Sequence, residues 1–191
     1  MATAAVDTRR WTREEYERLA EDGYFTPGER VELIDGVIYE MTPQNSLHAA
    51  GIRAGERALQ PVFSEGFDVR SQLPLALGFD SEPEPDVAVV PGTWEDYIES
   101  HPTSAVLVLE VADSSLYHDR KRKGSLYARA GIQEYWLLNL VKRCLQVYRD
   151  PKDGAYTTRF VLRAGDIVSP LARPEASIPV GKLIPRKPAV D

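Results

Sequence analysis

The run AVLVLEVA at residues 105–112 is apolar on both of its alternations except for one acid, Glu110. A strand of that kind suits the middle of a sheet covered on both faces. Upstream, SEPEPDVAVVP at 81–91 sets three acids and two prolines ahead of a short apolar strand, with Asp86 at its mouth. If the two strands pair antiparallel, the start of the first lies beside the end of the second, and the two carboxylates converge. Two such groups cannot both stay ionised in a poorly solvated place without a cation. Two carboxylates with waters completing the shell suit Mg²⁺, with Mn²⁺ as a substitute. The alternative is that each acid only flanks its strand and faces water.

The remaining segments place these strands in a fold. RWTREEYERLAEDGY predicts a helix with a capping box between Thr12 and Glu15. RVELIDGVIYEM predicts a hairpin turning at Asp35-Gly36. A second helix spans SLHAAGIRAGERALQ, and strands are expected at 67–77, 86–90 and 105–111. DRKRKGSLYARAG is a third helix stopped by Gly131, and IQEYWLLNL is a strand. RCLQVYRD and YTTRFVL form a C-terminal hairpin, followed by a proline-rich tail expected to wrap the surface. This order predicts an α/β (α+β) fold, a mixed sheet flanked by helices, in a single domain over residues 1–191.

Composition narrows the setting. The one cysteine, Cys144, excludes an internal disulfide framework and fits a reducing compartment. No apolar run approaches the ~18 residues of a membrane span, and no secretory leader is evident, so a cytoplasmic protein is expected. A net charge of −6 argues against a general nucleic-acid coat. One dense basic cluster, HDRKRKG at 118–124, stands out against it. Neither a phosphate-cradling GxxxxGK[ST] nor a zinc pattern occurs.

That cluster opens the third helix. Lys123 shares a face with Leu126, Tyr127 and Ala130, with Asp119 one turn earlier, whereas Lys121 and Arg122 are expected to point toward Ser125 and solvent. Because the helix follows the strand bearing Glu110, the amine of Lys123 is positioned to approach the carboxylates. Two acids with a divalent cation, plus a lysine, are the parts that phosphodiester hydrolysis needs.

PEPDVAVV, VLVLEVADSS, DRKRKGSLYARAGIQEYWLL and VELIDGVIYEM together resemble the PD-(D/E)XK nuclease superfamily. The resemblance is to its restriction-endonuclease-like family of small bacterial proteins and covers about residues 12–183. It implies an αβββαβ core, a Mg²⁺-dependent endonuclease acting on DNA, and catalytic residues Asp86, Glu110, Lys123 and Glu32. Asp86 and Glu110 would hold the metal. Arg120, Lys121 and Arg122 would engage phosphates, and His48, inward near the start of its helix, would join the substrate site. The superfamily's lysine two residues after the glutamate is replaced here by Ala112, and Lys123 stands in for it. Glu32 either completes the metal shell or holds a ligating water, or is a strand acid that faces solvent or pairs with an arginine, and His48 is either a site or a core residue. Glu134 is expected to be structural, a partner for an arginine. A homodimer is expected, with the CLQVY edge as the pairing surface. The rival reading is a catalytically inactive nuclease-fold protein that serves in binding or assembly.

Overall fold

The computed structural model describes residues 8–113 and 117–186, and for 117–121 the backbone alone. The elements run α1 (Arg13–Glu21), β1 (Val31–Ile34), β2 (Val37–Glu40), α2 (Ser46–Leu59), β3 (Phe67–Arg70), β4 (Val87–Pro91), β5 (Leu107–Ala112), α3 (Tyr117–Arg129), β6 (Glu134–Asn139), β7 (Cys144–Lys152) and β8 (Ala155–Leu162). A short pair, β9 (Ile167–Val168) and β10 (Ile178–Pro179), follows. The stretch from α2 to β6 is the expected αβββαβ core.

Six strands form one mixed sheet in the order β3-β4-β5-β6-β7-β8. Only β5 and β6 run parallel, and α3 is the crossover that joins them. All six residues of β5 are buried, as its unbroken apolar pattern requires. Alternation sends Val87, Val89, Leu107, Leu109 and Val111 to one face, where α2 lays Ile52 and Leu59 on them. Ala88, Val90, Val108 and Ala112 go to the other, against Leu126 and Tyr127 of α3. Burying each large side chain of this kind contributes roughly 1.5–3 kcal/mol.

The helices dock for local reasons. In α1, Thr12 Oγ1 accepts the Glu15 N–H at 3.2 Å and the Glu15 carboxylate accepts the Thr12 N–H at 3.0 Å, the predicted reciprocal cap. The Tyr16 hydroxyl then donates to the Val31 carbonyl at 3.0 Å and ties α1 to the first hairpin. Asp35 and Gly36, at φ of 50° and 73°, make that hairpin's turn. α2 approaches β5 closely because it carries glycines there: a Cβ on Gly51 would stand 2.8 Å from Val111 Cγ1.

Three expectations need correction. β3 ends at Arg70 rather than continuing to 77, because Gln72 takes a left-handed φ of 55° and turns the chain away from its ladder. The tail does not merely wrap the surface, since Ile178, Val180, Leu183 and Ile184 belong to the core beneath α2. CLQVY is no edge: β7 lies between β6 and β8, and Leu145 and Val147 are fully buried. No described helix is long and apolar enough to cross a membrane.

Candidate active site

The antiparallel register of β4 and β5 pairs Val87 with Leu109, which sets Asp86 opposite Glu110 on the α3 face. Each acid is fixed by the other's strand. Asp86 Oδ2 accepts the Val111 N–H at 2.7 Å, and the Asp86 N–H points at Glu110 Oε2 at 3.4 Å. Both side chains are about nine-tenths buried, at 8% exposure. The expected convergence of the two carboxylates is present.

α3 supplies two further groups one turn apart. The Tyr127 hydroxyl donates to Glu110 Oε1 at 2.6 Å. Lys123 Nζ stands 3.4 Å from the same oxygen and 2.8 Å from Glu32 Oε2. It also reaches toward the Glu84 carbonyl at 3.5 Å, while Glu32 Oε2 accepts the Glu84 N–H at 3.2 Å. Glu32 is therefore neither solvent-facing nor paired with an arginine; it holds the lysine. From α2, His48 Nε2 lies 3.2 Å from Asp86 Oδ1, its helix started by Asn45 Oδ1 accepting the His48 N–H at 2.9 Å.

The electrostatics follow from this crowding. Burial, reinforced by the Asp86 charge, pushes the Glu110 carboxyl up to about 7, against the pull of Lys123 and the Tyr127 hydrogen bond. Burial alone would lower the Lys123 amine, but the Glu110 and Glu32 carboxylates outweigh it and hold the amine above the ordinary lysine value. Lys123 is thus a fixed ammonium at neutral pH. The hydrogen bond to Asp86 raises His48, against its burial. Burial and the neighbouring Glu110 push the Tyr127 hydroxyl far up, so it serves as a permanent donor.

These groups open on a cavity of about 230 Å³ that is lined by six carboxylates (Glu32, Glu40, Glu84, Asp86, Glu110 and Asp113) against Arg122 and Lys123. The imbalance favours a cation there. Asp86 Oδ2 and Glu110 Oε1 are committed to hydrogen bonds. That leaves Asp86 Oδ1, approached by His48 at 3.2 Å, and Glu110 Oε2, with its long 3.4 Å contact, as hard oxygen donors. Two such donors fit Mg²⁺ or Mn²⁺, which keep several waters. Among the described residues no group of three or more His, Cys, Asp or Glu is arranged to hold a metal, so water would supply most of the shell.

Asp86, Glu110, Lys123, Glu32 and His48 are all brought together. Arg122 corrects its expectation: rather than pointing to solvent, its guanidinium lies 4.4 Å over the Tyr39 ring and lines the cavity. Ala130 also departs, being exposed at the end of α3 rather than inward. The side chains of Arg120, Lys121 and Asp119 lie outside the described residues. Sequence reasoning missed Tyr39, which carries Arg122, and Asn45, which caps α2 and donates to Asp113 at 2.5 Å. An asparagine before an apolar-periodic run was the available signal for the cap.

Residues 13–181 match the Uma2 family, described as "putative restriction endonuclease". Among solved structures, a putative nuclease of the DUF820 family from Anabaena variabilis superposes with a TM-score of 0.70 at 18% identity, over 90% of this chain and 96% of that one. At that identity the likeness establishes a shared fold. None of the curated proteins compared matches the chain.

Proposed function

Because this chain belongs to the Uma2 family, we propose that its site is that of a metal-dependent endonuclease hydrolysing DNA phosphodiester bonds. The observation that carries the reading is the meeting of Asp86, Glu110 and Lys123 at one solvent-open end of the sheet, with the ammonium 3.4 Å from Glu110. Asp86 Oδ1 and Glu110 Oε2 would hold the cation, whose chemistry is to polarise a phosphoryl oxygen and acidify water.

The chain's own groups do the rest. Lys123 stays protonated, so it acts by charge: it offsets the negative charge that grows on the phosphoryl oxygens and orients the attacking water. Glu32 fixes the ammonium in place. Tyr127 fixes Glu110, and His48 fixes Asp86. Arg122, braced on Tyr39, binds a phosphate of the strand, with Arg120 and Lys121 assigned the same role. Such contacts position the strand without reading its bases. The homodimer suited to cutting both strands of a duplex would use β8, the sheet's outer strand beyond β7.

A second reading, binding without cleavage, is favoured by one observation: Lys123 sits closer to Glu32, at 2.8 Å, than to Glu110. One experiment separates the two. Purified protein is incubated with plasmid and with single-stranded DNA in Mg²⁺ or Mn²⁺, alongside Asp86→Asn and Glu110→Gln, and each protein is melted with and without metal. Cleavage lost in both variants, together with a metal-dependent rise in Tm that Asp86→Asn removes, supports the nuclease. Folded wild-type protein that neither cuts nor gains stability from metal refutes it.

A further inference from the structure

Of the acids ahead of β4, Glu84 lies between two prolines, Pro83 and Pro85. Each ring locks its own φ, and a residue before proline is held extended, so Pro83-Glu84-Pro85 is a stiff strut. Its only N–H is that of Glu84. The Pro83 and Pro85 carbonyls turn to one side, where they accept the Leu75 and Gln72 N–H groups at 3.0 and 3.1 Å. The polar groups of Glu84 turn to the other side, as an extended chain requires. Its N–H donates to Glu32 Oε2 at 3.2 Å, and its carbonyl lies 3.5 Å from Lys123 Nζ.

The strut therefore meets both members of the Lys123–Glu32 ion pair. An ammonium has three donors. Here they face Glu32 Oε2 at 2.8 Å, Glu110 Oε1 at 3.4 Å and the Glu84 carbonyl at 3.5 Å. Acceptors on three separate segments fix the direction of Nζ. The Glu84 carbonyl is the neutral and most distant of them, so its proton is the one an incoming oxygen takes most easily. The strut is tied in turn to the first hairpin. Glu84 Oε2 pairs with Arg30 Nη2 at 2.7 Å, and the Arg30 carbonyl accepts the Met41 N–H at 2.8 Å across the hairpin's base. The Arg30 and Glu84 side chains keep 41% and 21% exposure, which makes this a partly screened pair.

We propose that Glu84 is a positioning residue for Lys123, parking one ammonium proton on its carbonyl beside the place of the reacting oxygen, and that Arg30 holds it there. The place of that oxygen rests on the nuclease reading; the seating of the amine does not.

The test compares full-length wild type, Arg30→Met and Arg30→Lys. Reductive methylation of Lys123 in metal-free protein, read by mass spectrometry against the exposed Lys152, reports the seat without any need for cleavage. Arg30→Met is expected to raise the Lys123 rate about two- to fivefold, the range of a partly exposed pair, and to lower Tm by no more than about 4 °C. Arg30→Lys is expected to restore the wild-type rate. Plasmid cleavage in Mg²⁺ is followed on the same proteins, where Arg30→Met is expected to lower kcat by a similar factor and leave KM unchanged. A Lys123 rate that ignores Arg30→Met, or that rises together with the Lys152 rate, overturns the proposal, as does failure of Arg30→Lys to restore it. Protein that never cuts but shows the Lys123 response loses the nuclease reading and keeps the seat. Protein that cuts with kcat unchanged in Arg30→Met keeps the nuclease reading and loses the positioning role.

Discussion

Lys123 reaches Glu32 across 2.8 Å, joining the third helix to the first hairpin inside the candidate active site. The hairpin is outside the six-stranded sheet; the Leu33–Glu82 backbone bridge docks it beside β4, and the lysine contact fixes its acid in the site.

Replacing Lys123 with Met leaves Glu32 and Glu110 buried with no ammonium between them. Breaking a buried pair in this way costs about 3–5 kcal/mol, read as a lower urea midpoint in metal-free protein. The loss is expected to be smaller at pH 6 than at pH 8, because Glu110, already pushed up to about 7, can take a proton instead. Added Mg²⁺ is expected to raise the Tm of Lys123→Met more than that of wild type, while cleavage is lost.

Gly51→Ala tests how α2 holds His48. The new methyl would stand 2.8 Å from Val111 Cγ1, and a valine has no flexible end to withdraw. Overpacking of this kind costs about 1–3 kcal/mol. Gly55→Ala, with its nearest contact at 3.3 Å on Leu109, is expected to cost less. Urea denaturation of the two variants should rank them in that order, and equal midpoints would contradict the close-packing argument.

Glu134 is fully buried, accepting from Arg149 at 2.6 and 2.8 Å, from the Trp136 indole at 2.9 Å and from the Leu171 N–H at 2.7 Å. It clamps the segment after β9 to the sheet. Glu134→Ala is expected to destabilise by about 3–5 kcal/mol, because it removes the counter-charge of Arg149, leaving that guanidinium the Ser169 carbonyl, and takes the acceptor from the Trp136 indole and the Leu171 N–H. Hydrogen exchange at the Leu171 amide should accelerate along with the fall in midpoint.

Glu82 gives a pH signature away from the site. Burial, with the hydrogen bond and charge of Glu17, pushes its carboxyl up to about 8, against the opposing Arg13. The folded chain then keeps a proton that the unfolded chain gives up near the ordinary value of 4.5. This contribution to stability is full below that value and falls as pH rises toward about 8. Glu82→Gln should flatten that decline, raising Tm at pH 8 relative to wild type more than at pH 5. An unchanged pH slope would disprove the assignment.

Much of the site was legible because it rests on strong local signals. A fully apolar strand with one acid fixes β5 centrally, and an acid at the mouth of β4 can meet it only in an antiparallel pair. Helical spacing from Leu126 and Tyr127 placed Lys123 inward. The same spacing misjudged Ala130, because α3 ends at Arg129 and Ala130 lies in the turn beyond it, where helical spacing no longer holds. Arg122 was misjudged because its partner Tyr39 lies in another element, which periodicity does not report. The core role of the tail was hidden by composition: prolines and small residues surround Ile178, Val180, Leu183 and Ile184, and only the assembled sheet offers them a surface.

The mutual fastening of Asp86 and Glu110, each gripped by the peptide of the opposite strand, makes this centre a check on folding fidelity. A slip of one residue between β4 and β5 would turn one acid to the α2 face and break both fastenings together. On the nuclease reading proposed above, misassembled chains would therefore be silent rather than sluggish, and the cleaving fraction of a preparation would count the correctly zipped molecules.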